Sequence, residues 1–314
     1  YSYYLYEYDF ADRLSSYNYR WYNLKFDYNK DNNVTMKEES YNNELKYVYN
    51  YEYNTESVIT KISVNNKNFN YIYDELGRIK ENNINGSYKT KYKYLSHGYK
   101  TSNIVREVDD NGTIYKYTYD KLGNITEVYK GNTIVNKYTY DEQSQLIQDD
   151  NLVTNITTKY TYDNYGNILS KKQYTYNTEN LIKEDTYTYG STNWQDLLTK
   201  FNDEEITYDE IGNPISIGSK TLSWMDGRSL REYKDGSTEV TYTYNLDGIR
   251  RTKTVNGKQI DYYLNGMNIV FEDRAGSVLY YIYNEDEVLG FVYDGVTYYY
   301  HKNILGDVIG ILDS

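Results

Sequence analysis

The chain has 314 residues, one proline (Pro214), no cysteine and a formal net charge of −12. The missing cysteines exclude a disulfide framework, thiolate zinc sites and thiol catalysis, and the acidic balance argues against nucleic acid, whose phosphates are met by clustered Lys and Arg. A mean hydropathy of −0.87 would ordinarily point to disorder, but 46 residues are tyrosine, which scores as polar while carrying a large apolar ring. No apolar run approaches the ~18 residues of a transmembrane helix. The chain opens on Tyr1 and is read as a piece of a longer protein. Its wealth of Tyr, Asn, Lys and Ile follows A/T-rich codons and points to a low-GC bacterium.

Residues 1–66 carry a worn repeat. Tyr8-Asp9 is followed by Asp12, Tyr28-Asn29 by Asn32, and Tyr53-Asn54 by Ser57. Asp and Asn tolerate left-handed backbone best after glycine, so these residues stand where later copies place glycine. Residues 67–297 carry clear copies. Tyr73-Asp74 with Gly77 comes first, then a looser unit from Tyr94 through His97 and Gly98. Tyr119-Asp120 with Gly123, Tyr140-Asp141 with Ser144, and Tyr162-Asp163 with Gly166 follow. Tyr208-Asp209 with Gly212 and Tyr244-Asn245 with Gly248 continue the series, Trp224 stands in for a tyrosine, and Tyr263 and Tyr283 head two further units.

The stretch Tyr115–Val128 predicts the local structure of each copy. Tyr115, Tyr117 and Tyr119 sit two apart and share one strand face, while Lys116 and Thr118 point the other way. The Asp120 carboxylate opens a turn by accepting backbone N–H groups. Gly123 supplies positive φ for a short hairpin with a bulge, and Asn124 tolerates the same region. Ile125–Val128 start the return strand with β-branched residues. The step from Tyr119 to Tyr140 to Tyr162 is 21 and 22 residues, two strands and two turns, and a fixed period means a repeat architecture. The stretch Tyr187–Asn202 breaks step and is read as a loop or a short helix over Trp194–Lys200. The fold expected is all-β: one continuous antiparallel sheet of ~20-residue hairpins, curled by its twist into a spiral or partial hollow shell.

The motifs at Tyr71–Gly77, Tyr117–Asn124 and Tyr160–Asn167, repeated in phase over nearly the whole chain, resemble the RHS/YD-repeat proteins. That family includes bacterial polymorphic toxins, wall-associated proteins, shell components of insecticidal toxin complexes and the animal teneurins. Residues 298–314, with Tyr300, His301, Leu305, Gly306, Asp307 and Gly310, resemble the start of the family's RHS-associated core. The resemblance implies a structural β-shell of a secreted or cell-wall-associated bacterial protein that encapsulates a C-terminal toxin of the same polypeptide. The family's core continues into an Asp-Pro-containing self-cleavage segment, and this sequence holds no Asp-Pro. The piece is therefore expected to be no enzyme, with no cofactor, no metal and no catalytic residues.

Alternatives attach to particular residues. The tyrosine ladders could be sugar platforms of a surface adhesion or carbohydrate-binding module, with cell-wall or surface glycans as partners; cross-strand packing is the plainer reading. Asp109-Asp110-Asn111-Gly112 could offer oxygen ligands to calcium, although turn chemistry already accounts for it. His97 and His301 have no local nucleophile beside them. The apolar run Val308–Leu312 is expected to be tucked inside the curled sheet or buried between copies.

Overall fold

A computed structural model describes residues 1–314 except 1–3, 20–21, 42–44, 65–66, 98–99, 191–193, 285–286 and 314. Gly98, named in the looser unit, lies outside the described residues. The described residues form thirty β-strands, from Tyr4–Tyr8 to Val308–Asp313, and no helix. They fall into two compact units, Tyr1–Val135 and Asn136–Ser314. Within the first unit every strand pairs antiparallel with the next as far as Ile125–Lys130. Within the second the same meander runs from Thr133–Tyr140 to Val308–Asp313. Alternation of side chains across a pleated strand explains the sequence pattern.

The first unit's core lies on the tyrosine face. Tyr49 pairs with Val64, Tyr51 with Ile62 and Ile62 with Phe69, and Tyr49, Ile62, Val64 and Phe69 are buried. Such aromatic and β-branched cross-strand pairs contribute about 0.2–1 kcal/mol each. Tyr92, Val108 and Tyr115 form a similar cross-strand row. In the second unit Phe271, Tyr280, Ile282 and Tyr299 are buried, and they share the face opposite Tyr281, Phe291 and Tyr298.

Trp194–Lys200 is not helical. Leu197 N–H donates to Trp194 O in a turn (3.2 Å), and Leu198–Phe201 is a strand whose Phe201 pairs with Tyr187. Four alternating residues satisfied by a neighbouring strand outweigh a helical reading that had no sustained apolar period. Val308–Leu312 is not tucked away. It belongs to a strand paired with Val296–Lys302, and Val308, Ile309 and Ile311 are exposed.

Candidate functional site: the turn-and-phenol ladder

Each motif turn is built from its own sequence. At Asp120 the backbone N–H donates to Asn124 O (3.0 Å) and Gly123 N–H returns to Asp120 O (3.3 Å). The Asp120 Oδ1 accepts the N–H groups of Leu122 and Asn124, both at 2.9 Å. Asp74, Asp141, Asp163 and Asp209 do the same in their turns, as do Asn29, Asn54, Asn245 and Asn303. The fourth residue is left-handed: φ is +74° at Gly77, +92° at Gly123, +89° at Gly166, +85° at Gly212, +75° at Gly248 and +89° at Gly306. Asp12, Asn32, Ser57 and Ser144 take that place at φ 57–64°, so the worn copies make the same turn. Asn124 is not left-handed. Its Nδ2 instead donates to Asp120 Oδ2 (2.9 Å).

The motif tyrosine sits at a bulge. The ladder register shifts just before Tyr8, Tyr28, Tyr53, Tyr73, Tyr119, Tyr140, Tyr162, Tyr208 and Tyr244. A bulge interrupts the ladder and leaves a residue without its regular partner. Opposite Tyr8 this puts Leu14, opposite Tyr53 it puts Ile59 and opposite Tyr140 it puts Leu146. The phenol of the next repeat reaches back to that residue's carbonyl. Tyr28 donates to Leu14 O (2.8 Å), Tyr53 to Val34 O (2.7 Å) and Tyr73 to Ile59 O (2.8 Å). Tyr94 donates to Ile79 O, Tyr119 to Val105 O, Tyr162 to Leu146 O, Tyr208 to Leu198 O, Tyr244 to Leu230 O and Tyr283 to Ile269 O. Trp224 earns its place as a stand-in: its Nε1–H donates to Pro214 O (2.7 Å). The phenol is thus a lock between consecutive repeats, worth about 1 kcal/mol each.

Two positions differ from the sequence reading. The shift that marks the motif residue falls before Leu264, not Tyr263, because the turn there is shortened around Gly266 at φ +58°. Tyr263 instead stacks on Phe271, centroids 4.1 Å apart. In the core-like stretch the tyrosine's place belongs to Lys302, whose Nζ donates to Val288 O (2.8 Å). Tyr300 packs near Phe291 (5.6 Å) and His301 pairs with Gly310 across the ladder. Leu305 is an exposed turn residue, and Asp307 Oδ2 accepts from Asn303 Nδ2 (2.9 Å).

Sequence reasoning also missed the residue after the left-handed position. Arg13 binds Asp9 in its own turn (2.7 Å) and reaches Asn29 O and Asn32 Oδ1 in the next (both 3.0 Å). Arg78 likewise binds Asp74 (2.8 Å) and reaches Ser102 O, its guanidinium 4.1 Å over the Tyr94 ring. Asn33 reaches Ser57 (2.8 Å), and Asn213 reaches Gly227 O (2.7 Å). The recurrence of Arg or Asn just after the turn was the available signal. At Asp109-Asp110-Asn111-Gly112, Asp109 caps Gly112 N–H (2.8 Å) and Asp110 accepts the Tyr88 hydroxyl (2.7 Å); no acidic or histidine cluster able to hold a metal occurs among the described residues.

Charge follows this geometry. The bond from Asn124, with the backbone N–H donors behind it, holds the Asp120 carboxyl below its ordinary value, and Asn167 does so for Asp163. A depressed carboxyl stabilises the fold above its unfolded pKa, and that contribution is lost as pH falls through the folded value, here below ~4. Glu39 runs the other way. Burial pushes its carboxyl up despite Lys37 at 2.7 Å, so its contribution is present in acid and lost as pH rises. Replacing Asp120 and Asp163 by Asn keeps the turn geometry, as Asn29 and Asn245 show. The variant should melt below the parent at pH 7, because it lacks the carboxylate contribution, and the gap should close as pH falls below ~4. Parallel acid profiles for variant and parent would contradict this account.

Solved structures share the fold of this chain. It aligns with a chain of the Photorhabdus luminescens Tc holotoxin pore at TM-score 0.67, 14% identity, over 93% of this chain and 17% of that one. It aligns with a chain of the TcdB2-TccC3-TEV structure at TM-score 0.65, 12% identity, over 98% of this chain and 19% of that one. In sequence it is 33% identical over 186 residues to the tRNA3(Ser)-specific nuclease WapA of Bacillus spizizenii, and 32% identical over 183 residues to the tRNA nuclease WapA of Bacillus subtilis. These relatives, with the repeat itself, support an RHS/YD-repeat family. Each WapA match covers 56% of the chain and only 8% of the relative. No protein-family model matches. The Tc likeness shows the fold alone, an antiparallel all-β meander with no helix among the described residues.

Proposed function

We propose that residues 1–314 are one repeat region in the wall of a β-shell, part of a secreted or cell-wall-associated bacterial RHS protein that encapsulates and delivers a C-terminal toxin of the same polypeptide. The observation that carries this reading is the repeat-to-repeat lock. Phenol–carbonyl bonds from Tyr28, Tyr53, Tyr73, Tyr119, Tyr162, Tyr208 and Tyr244 tie hairpins to their predecessors within each unit. A ribbon so tied is wall material, and a catalytic role sits elsewhere in such a polypeptide. The relatives named as tRNA nucleases and the Tc structures, one of which is described without its hypervariable C-terminal region, support a separate variable cargo.

The surface agrees. The chain exposes 19792 Å², whereas two separate compact domains of these sizes would expose roughly 16,500 Å². Sheet faces are left for cargo or further wall to cover. Tyr28, Tyr53, Tyr73, Tyr119, Tyr162, Tyr208 and Tyr244 are half-buried with their hydroxyls committed to backbone carbonyls, which supports packing over sugar platforms. Electron microscopy of the polypeptide continued through its downstream domain is expected to show a β-walled hollow particle with density inside. A solid rod, or an open ribbon with the downstream domain outside, would overturn the reading.

A further inference from the structure

In an antiparallel meander, alternate turns project from opposite rims. In the unit Asn136–Ser314, the rim that carries the motif turns also carries Tyr165, Trp194, Ile211, Leu246, Met267 and Leu305 at its tips, each between 45% and 106% exposed. The turn itself does not need them: Asp31, Glu56 and Gln143 occupy the equivalent tip of other motif turns. Trp194 is seated against the neighbouring turn, its ring lying 2.5 Å from where a Gly212 Cβ would stand. The opposite rim is different. Its turns read Asn202-Asp203, Gly218-Ser219, Gly236-Ser237, Asn256-Gly257 and Asp294-Gly295, and among its described turn residues Val153 alone is an exposed large hydrophobic.

We propose that this apolar rim is an association surface and that its partner is the same rim of a second copy of the chain. Tips from successive hairpins lie two strands apart, about 9.5 Å. A partner must offer apolar groups on that spacing to bury the row, and another motif rim does so by construction. The exposed parts of the two aromatics and four aliphatic tips together approach the ~800 Å² per partner of a stable interface. Self-pairing of one patch is the geometry of a two-fold dimer. The net charge of −12 opposes it, so salt should strengthen it by screening.

Sedimentation equilibrium of the 314-residue chain at low and high salt tests the proposal. The expected result is a reversible dimer, tighter at high salt. The triple variant Ile211→Lys, Leu246→Lys, Leu305→Lys should bind itself at least tenfold more weakly with unchanged circular dichroism and melting, whereas Val153→Lys on the opposite rim should dimerise like the parent. A parent that stays monomeric at both salts overturns the proposal. So does a dimer that survives the triple variant, which would place the contact at the exposed strand Val308–Asp313. A monomeric parent that pellets with neutral phosphatidylcholine vesicles would reassign the rim to membrane surfaces.

Discussion

Gly290→Ala is expected to be the most damaging single-methyl change in the chain. A Cβ at Gly290 would stand 2.1 Å from Tyr298 O and 3.0 Å from Tyr299 Cα. Both are backbone atoms of the paired strand, since Gly290 lies opposite Tyr299 and between it and Ile282. A flexible side chain could swing aside, but a ladder carbonyl can move only by breaking the ladder. Ile282 and Tyr299 are buried, so displacement also opens the second unit's core. Overpacking of this kind costs about 3 kcal/mol, the upper end of its usual range. Urea unfolding should show the loss, with a midpoint indistinguishable from the parent's contradicting it. The turn glycines behave differently. Gly123 has open space around its missing Cβ but φ +92°. Gly123→Val should cost ~1–3 kcal/mol from backbone strain, while Gly123→Asn should be mild, as Asn32 already adopts φ +64° in the same turn.

Removing the phenol hydroxyls together is expected to have the largest effect of all. Tyr73, Tyr119, Tyr162, Tyr208 and Tyr244 each donate to the freed carbonyl of the preceding repeat. Tyr→Phe keeps the ring and its packing while orphaning one half-buried carbonyl, at about 1 kcal/mol per site. Repeat proteins sum nearest-neighbour terms, so the fivefold variant should lose ~5 kcal/mol, comparable with the whole stability of a typical domain. Tyr165→Phe, at an exposed turn tip, is the control and should cost almost nothing. Losses that level off after the first one or two substitutions would show that the hydroxyls do not act repeat by repeat.

How much of this was legible in the sequence depends on the range of each interaction. The turns were readable because their chemistry is local: an acceptor at the first position and a left-handed residue at the fourth lie within one stretch of chain. That is why Asp12, Asn32, Ser57 and Ser144 could be placed without a glycine. The phenol's acceptor was not readable, because it lies in the previous hairpin, 14 residues from Tyr28 and 19 from Tyr53, and is freed only by the bulge. Lys302 was missed for the same reason, since the position asks for a long donor rather than an aromatic ring. Tyr263 misled because a shortened turn moved the register by one residue while the composition still looked right. Trp194–Lys200 looked irregular in sequence because its strand is only four residues long.

If this ribbon is wall, what it walls in is shielded. Limited proteolysis of the polypeptide carrying these repeats through its downstream domain tests it most directly. The downstream domain should survive protease while the repeats are intact, and should be cut once the fivefold Tyr→Phe variant loosens the wall. A downstream domain digested equally fast with intact repeats, loosened repeats or no repeats would contradict the account.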